Sequence, residues 1–229
     1  MLILLALASI IVLAIVFGPQ WWVRHVLAKH GDDRPDLPGN GAELARHLLD
    51  EADLQHVAVE VSEQGDHYDP DALAVRLTPT HHDGRSIAAV AVAAHEVSHA
   101  VQHARGDPIF TRRYRLVRNL VWVERLASVI LLAAPVVFAF IHVPALLILQ
   151  LAAGLALLGV RVAVHVTTLP VEFDASFGKA LPVLMRGRYL AAGDLPAARQ
   201  VLKAAAYTYV AAALATLLDV VRWFRMLRF

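Results

Sequence analysis

Long apolar runs alternate with polar stretches along this chain. Near-continuous apolar residues fill positions 1–17, 126–141, 145–160 and 204–221, whereas 15 of the 20 acidic residues lie between positions 24 and 118. Apolar runs of this kind are typical of membrane-spanning helices. The pattern therefore predicts a mostly α-helical membrane protein, with three to four transmembrane helices and a small α+β head.

The order of the runs divides the chain into five predicted segments. These are an N-terminal transmembrane helix at 1–23, a head at 30–118, a transmembrane helical hairpin at 119–166, a polar segment at 167–203, and a C-terminal membrane helix with a basic tail at 204–229. The first run lacks the preceding basic residues and the following small-residue cleavage site of a signal peptide. We therefore expect it to be retained.

Local signals within the head predict a helix followed by two strands. Asn40 is a candidate N-cap with Glu43 three residues later, which predicts an amphipathic helix over 41–53. Apolar and polar residues then alternate over 56–62 and over 72–78, with a polar, turn-rich stretch between them. These two segments predict an antiparallel strand pair.

Composition narrows the classes of function. Hydrophobic residues make up 58% of the chain and the formal net charge is +1, so the chain has no basic field suited to a nucleic-acid backbone. The chain has no cysteine, which excludes disulfides and thiolate metal sites. Histidine and carboxylate side chains are therefore the available ligands for a transition metal. Nothing in the composition predicts an oligomeric partner.

A short motif on a second helix of the head carries the clearest chemistry. This helix is predicted over 86–104, with Ser86 as its cap. His95 and His99 are four residues apart, so a helix projects both imidazoles from one face toward a single metal ion, and Glu96 lies beside them. This spacing predicts one Zn²⁺ per chain, with Glu96 as a general base for peptide hydrolysis.

A third ligand is required, since catalytic zinc sites usually take three protein side chains. Glu172 is the candidate, because Pro170 suits a helix start and places Glu172 and Ser176 on one helical face. The expected hairpin at 119–166 returns Glu172 to the side of the head. His165 and Tyr207 are candidates for stabilising the developing oxyanion.

Several segments together resemble the bacterial membrane-bound neutral zinc metallopeptidases, the YugP-like family, over nearly the whole chain. The segments that carry the resemblance are the apolar start, Asp66 to Pro70, Gly84 to Ser86, His95 to His103, Leu169 to Ser176, and Ala204 to Ala213. The resemblance implies a zincin-like catalytic head, zinc bound by His95, His99 and Glu172, and Glu96 as the base. Related gluzincins often place Asp four residues after the ligand Glu to orient a ligand His. Here that position is Ser176, so Ser176 and Asp174 are the candidates for this role.

Two other functions use similar residues. An intramembrane protease of the site-two type sets His-Glu-x-x-His inside a membrane span and takes a distant Asp as ligand, for which Asp219 is available. The apolar run from Ile87 to Ala94 before the motif is too short for such a span. A metal transporter is the non-enzymatic alternative, but three or four spans with a charged head form a poor conduit. We therefore favour a membrane-bound zinc endopeptidase.

The expected partners are a polypeptide substrate and the lipid bilayer. Arg24, Lys29 and the arginines at 112–118 flank the head, which predicts a protein of the bacterial cytoplasmic membrane with its head in the cytoplasm. Three arginines after position 221 argue against this orientation if the last helix spans. The strand at 72–78 is expected to offer a free edge to which an extended substrate adds.

Overall fold

Within the residues that the structure describes, helices dominate and one small sheet interrupts them. The computed structural model describes residues 2–141, 148–149, 152–153, 156, 164 and 167–226. In chain order the elements are α1 (Leu2–Lys29), α2 (Gly41–Glu51), β1 (Ala58–Val61), β2 (His67–Asp69), β3 (Ala74–Leu77), α3 (Pro79–His82), α4 (Ile87–Ala104), α5 (Pro108–Ile141), a π-helix (Asp174–Ala180), α6 (Leu181–Arg186) and α7 (Leu195–Met226).

Residue contacts divide the chain into two compact units. The first unit comprises Met1–Phe17, Arg112–Thr168 and Tyr209–Phe229. The second unit comprises Gly18–Thr111 and Leu169–Thr208. The second unit contains the sheet, α4 and the π-helix, and therefore all of the elements that position the candidate site. The boundaries of the five segments expected from the sequence remain a prediction.

Helix α2 begins where the capping signal predicts. The side chain of Asn40 accepts a hydrogen bond from the Glu43 backbone N–H at 2.8 Å, and the Glu43 carboxylate accepts one from the Asn40 backbone N–H at 2.9 Å. This capping box satisfies two donors that a helix start would otherwise leave without partners. The helix buries Leu48 and Leu49 against the rest of the second unit. The predicted amphipathic helix is confirmed.

The sheet differs from the predicted strand pair. Its order is β1-β3-β2, with β1 parallel to β3 and β2 antiparallel to β3. The prediction of an antiparallel pair over 56–62 and 72–78 is wrong, because the stretch that was expected to be only a turn supplies β2 and pairs with β3. Strand β3 is central, so the prediction that it offers a free edge is also wrong. Arg76 on β3 bridges both neighbours through ion pairs to Glu60 and Asp69.

Helix α4 forms the centre of the second unit. Its N-cap is Ser86, whose hydroxyl accepts a hydrogen bond from the Ala89 backbone N–H at 3.0 Å, and it ends at Ala104 as predicted. Small, fully buried side chains such as Ala91 and Ala93 let neighbouring elements approach closely. The helix packs against α2, α3, α6, the π-helix and the sheet. Residues 87–100 of α4 are therefore all buried, and only the last turn reaches the surface.

The polar segment after position 166 begins as an α-helix and continues as a π-helix. Residues 167–173 are α-helical, and the π-helix follows immediately before α6. A π-helix adds one residue to each hydrogen-bonded turn, which changes the direction in which successive side chains point. The π-helix packs on α4 and places Ala175, Ser176 and Ala180 in the buried interior.

The long helices correct the expected fold class. Across residues 2–141 and 167–226 and the few described positions between them, no helix combines the length and the apolarity that crossing a membrane requires. The prediction of three to four transmembrane helices is therefore wrong for the described chain. Charged residues interrupt two of the long helices: α5 carries four arginines by position 118, and α7 carries Arg199 and Lys203. The structure shows an α-rich chain with a small sheet.

Candidate metal centre

Helix α4 brings the two histidines of the motif together. The rings of His95 and His99 are 4.7 Å apart between centroids and nearly perpendicular. Their side chains are buried, as is that of Glu96. The spacing of four residues places both rings on one face of the helix, as the sequence predicts. The pair is thus presented to whatever element packs against that face.

Glu172 completes the group from the end of the helical stretch 167–173. Its side chain is 1% exposed, and its Oε2 atom lies 3.2 Å from Nε2 of His95 and 3.2 Å from Nε2 of His99. One ligand atom from each of the three residues lies within 4.8 Å of the other two. The structure therefore brings together the three side chains that the sequence nominates as ligands, in a buried group that could hold a metal ion.

The donor set and its spacing fit zinc. Two imidazole nitrogens and one carboxylate oxygen are a common ligand set of catalytic zinc. Tetrahedral coordination at 2.0–2.1 Å places two ligand atoms about 3.3 Å apart, and the two observed nitrogen-to-oxygen separations of 3.2 Å agree with this value. Three protein ligands leave a fourth position for substrate chemistry. The residues present therefore fit the ion.

Ser176 contacts the His95 ring at Nδ1, whereas Nε2 of the same ring faces Glu172. Its Oγ lies 3.0 Å from Nδ1 of His95 and donates a hydrogen bond to the carbonyl of Leu202 at 3.0 Å. Because the single hydroxyl proton goes to Leu202, Nδ1 of His95 must be the donor in the contact with Ser176. The lone pair of His95 is then on Nε2, the atom that faces Glu172. Sequence reasoning nominates Ser176 for this orienting role, and the contact supports it.

Asp174 is linked to His99 through Gln102, a residue that the sequence analysis did not nominate. The carboxylate of Asp174 accepts a hydrogen bond from the amide of Gln102 at 2.8 Å, and Gln102 in turn contacts Nδ1 of His99 at 2.8 Å. Partial burial raises the pKa of Asp174, but hydrogen bonds from Lys179 and Gln102 outweigh burial and hold that pKa below its ordinary value. A signal for Gln102 exists in the sequence, since it follows His99 by three residues and shares its helical face.

Comparisons with known proteins bear directly on this group. The family model described as "Putative neutral zinc metallopeptidase" matches residues 4–228. The chain belongs to this family. The family of metallopeptidases that the motifs resemble is thereby confirmed.

One relative of known sequence covers almost the same length. The curated protein "Putative membrane protease YugP" of Bacillus subtilis (strain 168) is 31% identical over 217 residues, which cover 94% of this chain and 92% of the relative. No solved structure matches the chain. Membership of the zinc metallopeptidase family, together with the buried His-His-Glu group, points to a hydrolase.

The remaining candidate residues lie elsewhere in the fold or outside the described residues. The ring of Tyr207 packs against Trp22 at 6.2 Å and Phe173 at 5.5 Å between centroids, which places it beside the residue that follows Glu172. Its role in stabilising an oxyanion stays a prediction. His165 and the side chain of Asp219 fall outside the part of the chain that the structure describes.

An aromatic cluster borders the histidine pair. His103 lies one turn beyond His99, and its Nδ1 is 2.9 Å from the hydroxyl of Tyr68. Phe110 packs against the rings of His99, His103 and Tyr68. Burial, and to a smaller extent the charge of Asp69, raises the pKa of the Tyr68 hydroxyl to about 12. Tyr68 therefore remains protonated at neutral pH and can act as a hydrogen-bond donor next to the site.

Proposed function

We propose that the protein is a zinc-dependent endopeptidase that holds one zinc ion per chain with His95, His99 and Glu172. The observation that carries this proposal is the buried convergence of these three side chains in a member of a zinc metallopeptidase family. A peptidase acts on polypeptides, so the substrate class follows from the reaction. The arrangement offers two neutral nitrogen ligands and one negative oxygen ligand at separations that suit zinc.

The chain supplies the proton transfers that peptide hydrolysis needs. When bound, zinc supplies Lewis acidity, which lowers the pKa of water and polarises the carbonyl of a peptide bond. Glu96 follows His95 directly on α4 and is buried, so its carboxylate lies beside the site rather than in bulk water. We assign Glu96 as the general base, which accepts the proton of the attacking water and later delivers it to the leaving amine.

The proposal includes association with a membrane. The relative in Bacillus subtilis is named as a membrane protease. On α1, the exposed apolar side chains Leu13, Phe17 and Trp21 follow one another at intervals of four residues and form one face. Arg24 and Lys29 near the end of α1 are exposed cations suited to anionic headgroups. We propose that the protein acts at the cytoplasmic face of the bacterial membrane.

The substitution Glu96→Gln tests the proposed reaction. The amide is nearly the same size as the carboxylate but accepts no proton, so zinc content should be unchanged while peptide cleavage falls by at least about 100-fold. Metal analysis of the purified protein and cleavage of an unstructured peptide give the two readouts. Glu63→Gln, in the exposed turn before β2, is the matched control and should retain full activity.

Two results would contradict the assignment. Cleavage by Glu96→Gln at the rate of the unmodified chain would remove Glu96 from its role as the base. A chain that carries no zinc and cleaves no peptide, although it is folded and supplied with zinc, would overturn the proposed function as a whole.

A further inference from the structure

The amide of Gln102 lies between a candidate zinc ligand and a charged pair. Its side chain is 1% exposed. Its Oε1 lies 2.8 Å from Nδ1 of His99, and its Nε2 donates to Asp174 Oδ2 at 2.8 Å and to the Val171 carbonyl at 3.2 Å. All the polar atoms of this buried amide therefore have partners. These contacts join α4 to the stretch that carries Glu172.

These contacts fix the orientation of the amide and with it the proton on His99. A carboxylate and a backbone carbonyl only accept hydrogen bonds, so the NH₂ group of Gln102 must face Asp174 and Val171. The oxygen of Gln102 then faces His99, and because this oxygen only accepts, Nδ1 of His99 must carry the proton. The lone pair of His99 is left on Nε2, which faces Glu172 at 3.2 Å.

We propose that Gln102 is a positioning residue that holds His99 in the tautomer able to bind a metal, and that Asp174 and Lys179 hold Gln102 in turn. The inference rests on the proposed zinc site and goes beyond its ligands. Lys179 forms an ion pair with Asp174, and its Nζ lies 3.9 Å from Asp107 Oδ2. The carboxylate that orients the amide is thus fixed by a cation on its own π-helix.

Gly178 has no side chain, and the carboxylate of Asp174 lies in the space that a side chain would fill. A Cβ atom at Gly178 would lie 2.4 Å from Oδ1 of Asp174, which is far inside van der Waals contact. Beside a methyl group there, the Asp174 carboxylate would have to shift. Because the same carboxylate contacts both Gln102 and Lys179, this shift should weaken the contact that orients the amide. Glycine at this position therefore leaves room for the carboxylate where it contacts Gln102.

The two histidines are oriented by separate partners, one on the π-helix and the other on α4. His95 donates to Ser176, whereas His99 donates to Gln102. A change at Gln102 should therefore alter the proton position on His99 and leave that on His95 unchanged. This difference gives an internal control within a single protein sample.

The test compares Gln102→Met with Ser98→Ala. Methionine keeps the length of the side chain but has no amide, while Ser98→Ala removes a buried hydrogen bond to the Ala94 carbonyl on the same helix without touching the site. Nitrogen chemical shifts of the imidazoles in the zinc-free protein report the tautomers, and competition with a chelator reports zinc affinity. We expect Gln102→Met to weaken zinc binding by about 10- to 100-fold and to leave His99 in mixed tautomers. Ser98→Ala should match the unmodified chain in both readouts.

A second variant, Gly178→Ala, decides the question if Gln102→Met does not fold. This substitution leaves Gln102 itself unchanged, and thermal unfolding checks that the variant is folded. We expect it to weaken zinc binding by about tenfold, because Asp174 loses its place while the amide keeps the Val171 carbonyl.

The outcomes separate this inference from the proposed function. It is overturned if the zinc-free chain carries the proton of His99 on Nε2, or if folded Gln102→Met binds zinc as tightly as the unmodified chain. If Gln102→Met does not fold, unchanged zinc affinity in Gly178→Ala overturns it. A chain with His99 protonated on Nδ1 that binds no zinc would support the positioning role and contradict the proposed function instead.

Discussion

Glu172 brings a negative charge to two imidazoles in a site from which water is largely excluded. The side chains of His95, His99 and Glu172 are each no more than 6% exposed. The two histidines contribute no charge as neutral ligands, so the carboxylate provides the electrostatic attraction as well as the third ligand for a divalent cation. At the scale of the residue, the affinity for zinc should depend most strongly on this side chain.

Removing this carboxylate gives a direct prediction. Glu172→Ala should lower zinc affinity by more than the 10- to 100-fold that loss of an orienting partner costs, since a ligand itself is lost. Zinc titration of the purified variant measures the effect. Glu60→Ala, which removes an exposed carboxylate paired with Arg76 on the sheet, serves as the control. Unchanged zinc content in Glu172→Ala would instead point to Asp174 or Asp219 as the ligand.

Among the secondary-structure elements, β2 and β3 are linked by Asp66, which lies just before β2 and bonds to Thr78, just after β3. Its carboxylate accepts hydrogen bonds from the backbone N–H and the hydroxyl of Thr78 at 2.7 and 3.0 Å, and contacts Nδ1 of His81 at 2.7 Å. Burial raises the pKa of Asp66, but the contacts with His81 and Thr78 outweigh burial and hold that pKa below its ordinary value. The carboxylate is therefore more stable as an anion in the folded chain than in the unfolded one.

The lowered pKa predicts how stability depends on pH. A group whose pKa is lowered by folding stabilises the fold above its unfolded pKa of about 3.9, and this contribution is lost as pH falls through the lower folded value. The free energy of unfolding should thus fall on acidification below about pH 4. Asp66→Asn should lose about 1–3 kcal/mol at pH 7 and show a weaker fall in acid, as measured by denaturant unfolding at several pH values.

The control for this experiment is Asp33→Asn, which changes an exposed carboxylate between α1 and α2. It should leave both the stability at pH 7 and the pH dependence close to those of the unmodified chain. If Asp66→Asn unfolds with the same pH profile as the unmodified chain, Asp66 does not carry the stabilisation assigned to it.

The proposed association with a membrane is a property of the whole molecule. The apolar face of Leu13, Phe17 and Trp21, and exposed cations such as Arg24, are the features that would contact lipid. Cell fractionation of the full chain should place it in the membrane pellet. Replacing Phe17 and Trp21 together with Ser should shift protein to the supernatant, while the zinc content stays unchanged because the site lies elsewhere in the chain. Recovery of the unmodified chain in the supernatant would contradict membrane association.

Local physics explains what the sequence by itself determined. Asn40 and Ser86 satisfy the first backbone donors of α2 and α4, so the starts of both helices follow from residues within three positions. The pairing of His95 with His99 follows from the helical repeat alone. The family follows from motifs that are spread over most of the chain, and the family model matches over residues 4–228. These features need no knowledge of distant contacts.

Tertiary structure decided the features that depend on distant partners. The sequence showed which segments alternate, but the place of β3 at the centre of the sheet depends on β2, a short strand within a turn-like stretch. The apolar runs suggested transmembrane helices, yet no described helix meets the requirement for a span. The role proposed for Gln102 depends on its hydrogen bond to Asp174, which lies 72 residues away. Local sequence specifies local backbone geometry, whereas strand order and side-chain partners are set by packing between segments far apart in the chain.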